Sequence, residues 1–201
     1  MIDFAGRPCQ SGRPSFDPEF RAKYLKYLMQ SAAKLTFVLG GARSGKSRYA
    51  ESLIAALPPP WRYVATAEAG DAEMAERIAA HRAQRGTAWQ TVEAPRDLAT
   101  VLGSGHSSPV LVDCLTLWLS NLMLAEVDIE AEIVRLEQAL TVVTAPVVLV
   151  ANEVGYGIVP DYPLGRRFRD WQGVLNQRIA ARADRVVLVV AGLPLAVKGV
   201  L

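Results

Sequence analysis

Short apolar runs alternate with amphipathic stretches along most of the chain. The apolar runs are rich in valine and leucine and nearly unbroken, which favours strands buried on both faces of a parallel sheet. The predicted strands are Thr36–Leu39, Arg62–Ala65, Val110–Asp113, Pro146–Ala151 and Arg185–Val190. The predicted helices are Lys46–Leu57, Asp71–Arg85, Thr116–Ala125, Ile129–Thr141 and Leu164–Ala183. Strands separated by helices predict right-handed βαβ units, and therefore a doubly wound α/β domain with a mostly parallel sheet and helices on both faces.

The first 34 residues differ from this pattern. Glycines and prolines recur through residues 1–18, a composition typical of loops or disordered segments. Residues 20–34 are predicted to form a short basic helix. We therefore expect an extension over residues 1–34 and a folded domain over residues 35–201. The extension either contacts a partner or a membrane surface, or folds back onto the domain and frays.

Composition excludes several classes of function. Of the 201 residues, 51% are hydrophobic, which is ample for a sheet covered on both faces. The 22 basic residues nearly balance the 20 acidic ones, so we expect no nucleic-acid partner. The cysteines Cys9 and Cys114 lie far apart without metal-site spacing, which predicts no disulfide framework and a reducing, cytoplasmic location. No apolar run of about 18 residues and no hydrophobic signal core occur, so neither a membrane span nor a secretory signal is expected.

One segment fits the phosphate-binding pattern G-x-x-x-x-G-K-[ST] at every fixed position. Its residues are Gly40, Gly41, Ala42, Arg43, Ser44, Gly45, Lys46 and Ser47. The segment joins a predicted strand to the start of a predicted helix, which is the context that the pattern requires. Its main-chain N–H groups and the helix start favour a phosphate chain, Lys46 is expected to reach the β- and γ-phosphates, and Ser47 to place a hydroxyl on Mg²⁺. The alternative is an ordinary glycine turn capped by Ser47.

A cationic stripe lies along the predicted helix Asp71–Arg85. Arg77, His81 and Arg85 are four residues apart and therefore share one face of the helix. Such a stripe could receive a phosphate chain, with the imidazole attacking phosphorus and the arginines binding oxygens. The alternative is a solvated helix face whose charges pair with neighbouring glutamates.

Polar residues stand at the carboxyl ends of two predicted strands. Asp113 ends one of them, where a carboxylate of a nucleotide-binding α/β domain holds Mg²⁺ or its waters. Alternatively, Asp113 caps the helix that follows. Asn152 and Glu153 end the other strand, and the loop from Gly155 to Pro160 comes next, a possible lid or substrate wall.

Three arginines, Arg166, Arg167 and Arg169, cluster near the start of the last predicted helix. They either bind phosphate or solvate that face of the helix.

Together these segments resemble the bifunctional adenosylcobinamide kinase/adenosylcobinamide-phosphate guanylyltransferase family. The matching segments are Gly40–Arg48, Tyr63–Ala67, Asp71–Met74, Arg77–Ile78, His81–Arg82, Trp89–Glu93, Asn152–Gly155, Ile158–Pro160, Arg167–Asp170 and Asn176–Arg178. The resemblance extends from about residue 35 to the end of the chain. It favours the nucleophilic interpretation of His81 over the solvated helix face, and it implies a P-loop NTPase-like (RecA-like) form of the doubly wound fold.

The resemblance implies two reactions in the assembly of the nucleotide loop of cobalamin. The family phosphorylates the aminopropanol hydroxyl of adenosylcobinamide with ATP or GTP. It then takes GMP from GTP onto a histidine, releases pyrophosphate and passes the GMP to the phosphorylated corrinoid, giving adenosylcobinamide-GDP. The partners implied are therefore GTP, ATP, Mg²⁺ and a corrinoid substrate, and the implied assembly is a homotrimer.

The resemblance also implies roles for individual residues. His81 becomes guanylylated, and Ala80 stands where some members carry a second histidine. In the kinase step, Lys46 neutralises charge on the leaving side. Guanine-nucleotide contacts map to Gly40 through Ser47, Ala65, Thr66, Ala67, Gln84, Arg85, Gly86, Thr87, Glu93 and Asp113. Ser47 and Asp113 are the candidate Mg²⁺ ligands. The resemblance gives no residues for the corrinoid pocket; Tyr156, Trp171 and the loop from Gly155 to Pro160 are candidate walls.

Two other functions fit the residues less completely. A monofunctional P-loop kinase of a small metabolite would need no histidine nucleophile. A nucleotide-gated binding module would bind GTP and change partners without a transfer reaction.

Overall fold

A computed structural model of the chain describes residues 33–68, 86–105 and 107–201. Within them, seven strands form one sheet: β1 (Leu35–Gly40), β2 (Trp61–Ala65), β3 (Trp89–Glu93), β4 (Val110–Asp113), β5 (Val147–Asn152), β6 (Arg185–Val190) and β7 (Leu193–Lys198). The described helices are α1 (Lys46–Ala55), α2 (Leu98–Gly103), α3 (Leu115–Leu124), α4 (Ile129–Val142) and α5 (Pro163–Arg182). The predicted helix over residues 71–85 and nearly all of the extension over residues 1–34 lie outside the described residues.

The strand order is β3-β2-β4-β5-β1-β6-β7. Strands β1 to β6 run parallel to one another, and β7 pairs antiparallel with β6. The turn between β6 and β7 consists of Ala191 and Gly192, both with positive φ (51° and 81°), as a tight hairpin turn requires. The predicted mostly parallel sheet is therefore confirmed.

Helices cover both faces of the sheet. On one face, Ala50 and Ile54 of α1 pack with Val38 of β1. On the other face, Trp118 of α3 and Leu136 of α4 belong to the larger core cluster. These side chains are almost completely buried, and burying each large one stabilises the domain by roughly 2 kcal/mol. None of the described helices is both long and apolar enough to span a bilayer.

Three elements were not predicted from the sequence. Strand β3 lies at one edge of the sheet and is only partly buried, so it lacks the continuous apolar run that identified the central strands. Strand β7 lies at the other edge and contains Pro194, a residue that is confined to edge strands because it has no N–H to donate. Helix α2 has only 6 residues, too few for a clear helical period.

Candidate active site

The polar residues singled out in the sequence meet at the carboxyl edge of the sheet. The strand register places Ala65 of β2 beside both Glu93 of β3 and Asp113 of β4. Gly40 of β1 lies beside Asn152 of β5. With neighbouring strands about 4.8 Å apart, the row from β3 to β1 is about 19 Å long. This edge therefore offers a site long enough for a nucleoside triphosphate.

The segment after β1 folds as a tight loop that leads directly into α1. Arg43 and Gly45 have positive φ, at 55° and 93°, and the residues between and around them turn the main chain sharply. Gly45 is the N-cap of α1 and supplies no side chain to cap it. Because no side chain caps them, the first N–H groups of α1 contribute their partial positive charge to the loop. Such a loop favours an anion.

The loop is held against the end of the sheet by close main-chain contacts. A Cβ at residue 40 would lie 2.7 Å from the carbonyl oxygen of Val189, and closer still to the hydroxyl of Ser44. The N–H of Gly192, in the β6–β7 turn, donates to the carbonyl of Ser44 at 2.8 Å. The Ser44 hydroxyl is buried and has no hydrogen-bond partner within the described parts of the chain. Gly40 is therefore required for close packing, and the Ser44 hydroxyl is an orphaned polar group beside the phosphate loop.

Lys46 lies across the phosphate loop. Lys46 is buried, with 9% of its surface exposed, and its ammonium group donates a hydrogen bond to the carbonyl of Gly41 at 3.1 Å. Its charge also acts on Cys114. Burial, followed by the neighbouring Asp113, raises the pKa of the Cys114 thiol to about 11, an effect that Lys46 only partly offsets. Cys114 is therefore a neutral thiol near pH 7, and the Lys46 side chain brings a positive charge to the phosphate loop.

Asp113 is fixed by a residue that the sequence analysis missed. The hydroxyl of Tyr63, a side chain that is only 3% exposed, donates to Oδ2 of Asp113 at 3.0 Å. The N-cap of α3 is Cys114, and this helix has no side-chain cap, so the capping role considered for Asp113 is wrong. A fixed carboxylate and the hydroxyl of Ser47 are both oxygen donors, the ligand type that Mg²⁺ prefers. No cluster of three or more His, Cys, Asp or Glu residues that could hold a metal occurs among the described residues.

Thr66 joins the ends of β2 and β4. Its buried hydroxyl donates to the Cys114 carbonyl at 2.7 Å and accepts from the Cys114 N–H at 2.8 Å. The side-chain amide of Asn121 donates to the Thr66 carbonyl at 2.7 Å. Thr66 is fully buried and its hydroxyl is occupied within the protein, so Thr66 fixes the shape of the edge from beneath. A nucleotide contact in this segment therefore falls to Ala65 or Ala67.

Asn152 and Glu153 continue the edge next to the phosphate loop. The N–H of Asn152 donates to the Thr116 hydroxyl at 2.7 Å, and its side-chain Oδ1 is buried without a partner among the described residues. The N–H of Glu153 donates to the carbonyl of Gly40 at 3.2 Å. The sequence signal that identified both residues, polar side chains at a strand's carboxyl end, correctly located them. No sequence signal pointed to the hydrogen bond between Asn152 and Thr116.

Not every predicted site residue reaches this edge. His81, Gln84 and Arg85 lie outside the described residues. Gly86 and Thr87 precede Trp89, the first residue of β3, and therefore lie at the amino end of that strand. About four residues of extended chain, roughly 13 Å, separate that end of β3 from Glu93. The structure thus brings Gly40–Ser47, Ala65, Glu93 and Asp113 to one edge, and does not bring Gly86 and Thr87 there.

Comparison with known proteins identifies close relatives. Residues 36–197 match the family described as cobinamide kinase / cobinamide phosphate guanyltransferase. A Pseudomonas aeruginosa protein named bifunctional adenosylcobalamin biosynthesis protein CobP is 48% identical over 81% of this chain and 96% of its own length. The *Salmonella typhimurium* protein named bifunctional adenosylcobalamin biosynthesis protein CobU is 42% identical over 82% of this chain and 99% of its own.

Among solved structures, one match is the flagellar accessory protein FlaH from Methanocaldococcus jannaschii. The match covers 82% of this chain and 78% of FlaH, with 12% identity and a TM-score of 0.47.

The family model matches most of the chain, and the relatives are matched over almost their entire length. This result confirms the predicted bifunctional enzyme and does not support the two alternatives, a monofunctional kinase and a binding module. The chain therefore belongs to the cobinamide kinase / cobinamide phosphate guanyltransferase family.

Proposed function

We propose that the carboxyl edge of the sheet binds a nucleoside triphosphate and carries out two successive transfers onto a corrinoid. The observation that carries the proposal is the phosphate loop packed tightly against β6, with Lys46 across it and Asp113 held at the same edge by Tyr63. The description of the family supplies the acceptor, cobinamide. The nucleotides, ATP or GTP, belong to the proposal and rest on the resemblance. The same proposal includes a homotrimer, which rests on the resemblance, and a cytoplasmic location, which rests on the two widely separated cysteines.

In the first reaction the corrinoid hydroxyl attacks the γ-phosphorus of ATP or GTP. The new O–P bond forms as the bond from the γ-phosphorus to the β–γ bridging oxygen breaks, the nucleoside diphosphate leaves, and the hydroxyl proton passes to water or a neighbouring base. Lys46 and the loop N–H groups stabilise the charge on the phosphate oxygens during this transfer. Mg²⁺, held through Ser47 and Asp113, would neutralise further phosphate charge. Tyr63 contributes by fixing the orientation of the Asp113 carboxylate.

In the second reaction a nitrogen of His81 attacks the α-phosphorus of GTP. A P–N bond forms, the bond to the α–β bridging oxygen breaks, and pyrophosphate leaves. A phosphate oxygen of the phosphorylated corrinoid then attacks the same phosphorus, the P–N bond breaks, and the imidazole is regenerated as the GDP-linked product forms. The assignment of His81 rests on its segment's resemblance to the family motif.

The chain offers a matched control for this assignment, because His81 and His106 are its 2 histidines. Incubation with GTP labelled at the α-phosphate should give an acid-labile protein adduct that survives denaturation. We expect the adduct to be absent from His81→Ala and retained in His106→Ala. Both variants should still phosphorylate cobinamide with ATP.

Two results would count against this division of roles. An adduct that persists in His81→Ala would remove His81 as the nucleophile. Equal loss of phosphorylation and guanylylation in His81→Ala would show that the two reactions do not divide as proposed.

A further inference from the structure

Five large apolar side chains between β5 and the first turn of α5 are exposed to solvent. Ile158 is 97% exposed and Tyr156 is 87% exposed. The full set, which we call the platform, is Tyr156, Ile158, Val159, Tyr162 and Leu164. Several large exposed apolar side chains within one short segment indicate a binding site, because scattered single ones are the usual case on a surface that faces water.

The segment that carries the platform is fixed by side-chain contacts to its main chain. The Gly155 N–H donates to Oε1 of Glu153 at 2.6 Å, and Arg169 donates to the Gly155 carbonyl at 2.7 Å. Arg166 donates to the carbonyls of Pro160 and Asp161 at 3.0 and 2.7 Å. These bonds order the segment without burying its apolar side chains. They also give Arg166 and Arg169 partners within the loop, which argues against the phosphate-binding role considered for both.

The absence of a side chain at Gly165 allows Tyr162, near the end of the platform, to pack closely against α5. A Cβ at this position would lie 2.7 Å from ring atoms of Tyr162 and 2.8 Å from Cβ of Pro160. Glycine is a poor helix former, yet it occupies the first turn of α5 with no positive φ to explain it. The reason is the close approach of Tyr162, whose ring lies over the helix backbone.

The platform begins beside the phosphate loop. The Glu153 N–H donates to the carbonyl of Gly40, the first residue of the loop. Tyr156 follows Glu153 by three residues, so it lies within about 11 Å along the chain. A phosphate acceptor must bring its hydroxyl to the γ-phosphate, and the remainder of a large acceptor must rest on the surface next to the loop.

We propose that the platform is the corrinoid-binding surface and receives one face of the corrin macrocycle while the side arm carrying the hydroxyl reaches the phosphate loop. This inference rests on the proposed function. A corrin ring is broad and nearly flat, with apolar faces and neutral amide arms. The platform residues match that chemistry, since none is charged and the two tyrosines combine an apolar ring with a hydroxyl that can bond an amide. Trp171, the other candidate wall, packs partly against the larger core cluster and lines a separate surface cavity with the charged residues Arg167 and Asp170.

The test compares cobinamide binding and phosphorylation in the full-length protein and in the double variant Tyr156→Ser/Ile158→Ser. The matched control is Val142→Ser at the end of α4, a side chain that is 65% exposed. We expect the double variant to raise both the Kd for dicyanocobinamide in equilibrium dialysis and the KM for cobinamide at least tenfold. Its Kd for GTP and its thermal unfolding should stay unchanged, and Val142→Ser should behave as the wild type.

A second variant, Gly165→Ala, should displace Tyr162 and raise the cobinamide KM with less effect on the GTP affinity. An unchanged cobinamide Kd in the double variant, with wild-type phosphorylation intact, would overturn the inference and leave the proposed function standing. A change from oligomer to monomer in sedimentation would also overturn it, because the platform would then be a surface between copies of the chain. A wild-type protein that neither binds nor phosphorylates cobinamide would refute the proposed function, and the platform assignment with it.

Discussion

Two groups of polar side chains at opposite ends of the sheet differ in whether they have partners within the protein. Near the amino ends of the strands, four charged residues of α4 and α5 pair with one another: Glu130, Glu137, Arg178 and Arg182. We call this group the ion cluster. At the carboxyl edge, the buried oxygens Ser44 Oγ and Asn152 Oδ1 have no partner within the described residues. The pairing within the ion cluster stabilises the fold, whereas the two unpaired oxygens of the carboxyl edge lie beside the phosphate loop. Arg62 Nε, near the amino end of β2, is likewise buried without a partner among the described residues.

Glu137 is the centre of the ion cluster. It is 7% exposed, and its carboxylate accepts hydrogen bonds from Arg178 and forms an ion pair with Arg182. The Arg178 hydrogen bonds are the main reason why the pKa of Glu137 is lowered from 4.5 to about 2. The same contacts raise the pKa of Arg178. Lys46, the corresponding charge of the carboxyl edge, is bonded instead to a main-chain carbonyl.

The largest effect is expected when the cation of the carboxyl edge is removed. Lys46→Ala should lower both cobinamide phosphorylation and guanylylation about 10³-fold, because the charge on the transferring phosphates loses its fixed partner. Steady-state assays with ATP and GTP measure both losses. Arg48→Ala, an exposed position on the same helix, is the control and should stay within about twofold. Full activity in Lys46→Ala would place the transfer chemistry elsewhere.

At the opposite end, Glu137→Gln should affect stability alone. Its lowered pKa corresponds to about 3 kcal/mol of stability at pH 7, which the variant should lose in urea unfolding. Since the pKa is lower in the folded state, this contribution exists above about pH 4.5 and disappears as the pH falls towards 2. The difference between wild type and variant should therefore shrink over that interval.

The control for Glu137 is Glu130→Gln on the same helix. Glu130 also pairs with Arg178, but the Glu130 side chain is 55% exposed. Solvent screening limits its loss to about 0.5 kcal/mol. Equal losses from both variants, or a Glu137→Gln difference independent of pH, would contradict this account of the ion cluster.

A smaller effect is expected from Tyr63→Phe at the carboxyl edge. Loss of the hydroxyl leaves Asp113 without its orienting partner, so Mg²⁺ binding to the GTP complex should weaken on the order of tenfold. Binding of Mn²⁺ followed by electron paramagnetic resonance gives a measurement independent of turnover. Tyr49→Phe, a partly buried tyrosine of α1, should leave it unchanged. Unaltered metal affinity in Tyr63→Phe would show that Asp113 is not a ligand that Tyr63 positions.

The elements and loop that were predicted correctly depend on local sequence. The central strands are continuous apolar runs because both faces of a parallel sheet are buried. The phosphate loop is equally local, since its glycines, lysine and serine lie within eight residues. Strands β3 and β7 escaped prediction because they lie at the edges, where half-buried positions and Pro194 weaken the apolar pattern.

Contacts between distant segments could not be predicted in the same way. Tyr63 and Asp113 are 50 residues apart and meet only because β2 and β4 are neighbours in the sheet. Glu137 and Arg178 are 41 residues apart and meet only where α4 passes α5. A single sequence contains both residues of each pair but not the register that joins them.

The central claim, that the loop after β1 binds the triphosphate, is tested most directly by the GTP affinities of two adjacent glycine variants. A Cβ at Gly40 would collide with the Val189 carbonyl, whereas a Cβ at Gly41 would have nothing within 4 Å. Calorimetric titration with GTP and Mg²⁺ should show at least a tenfold loss of affinity in Gly40→Ala, with the domain still folded by circular dichroism, and a change below about twofold in Gly41→Ala. Wild-type GTP affinity in a folded Gly40→Ala protein would contradict the claim.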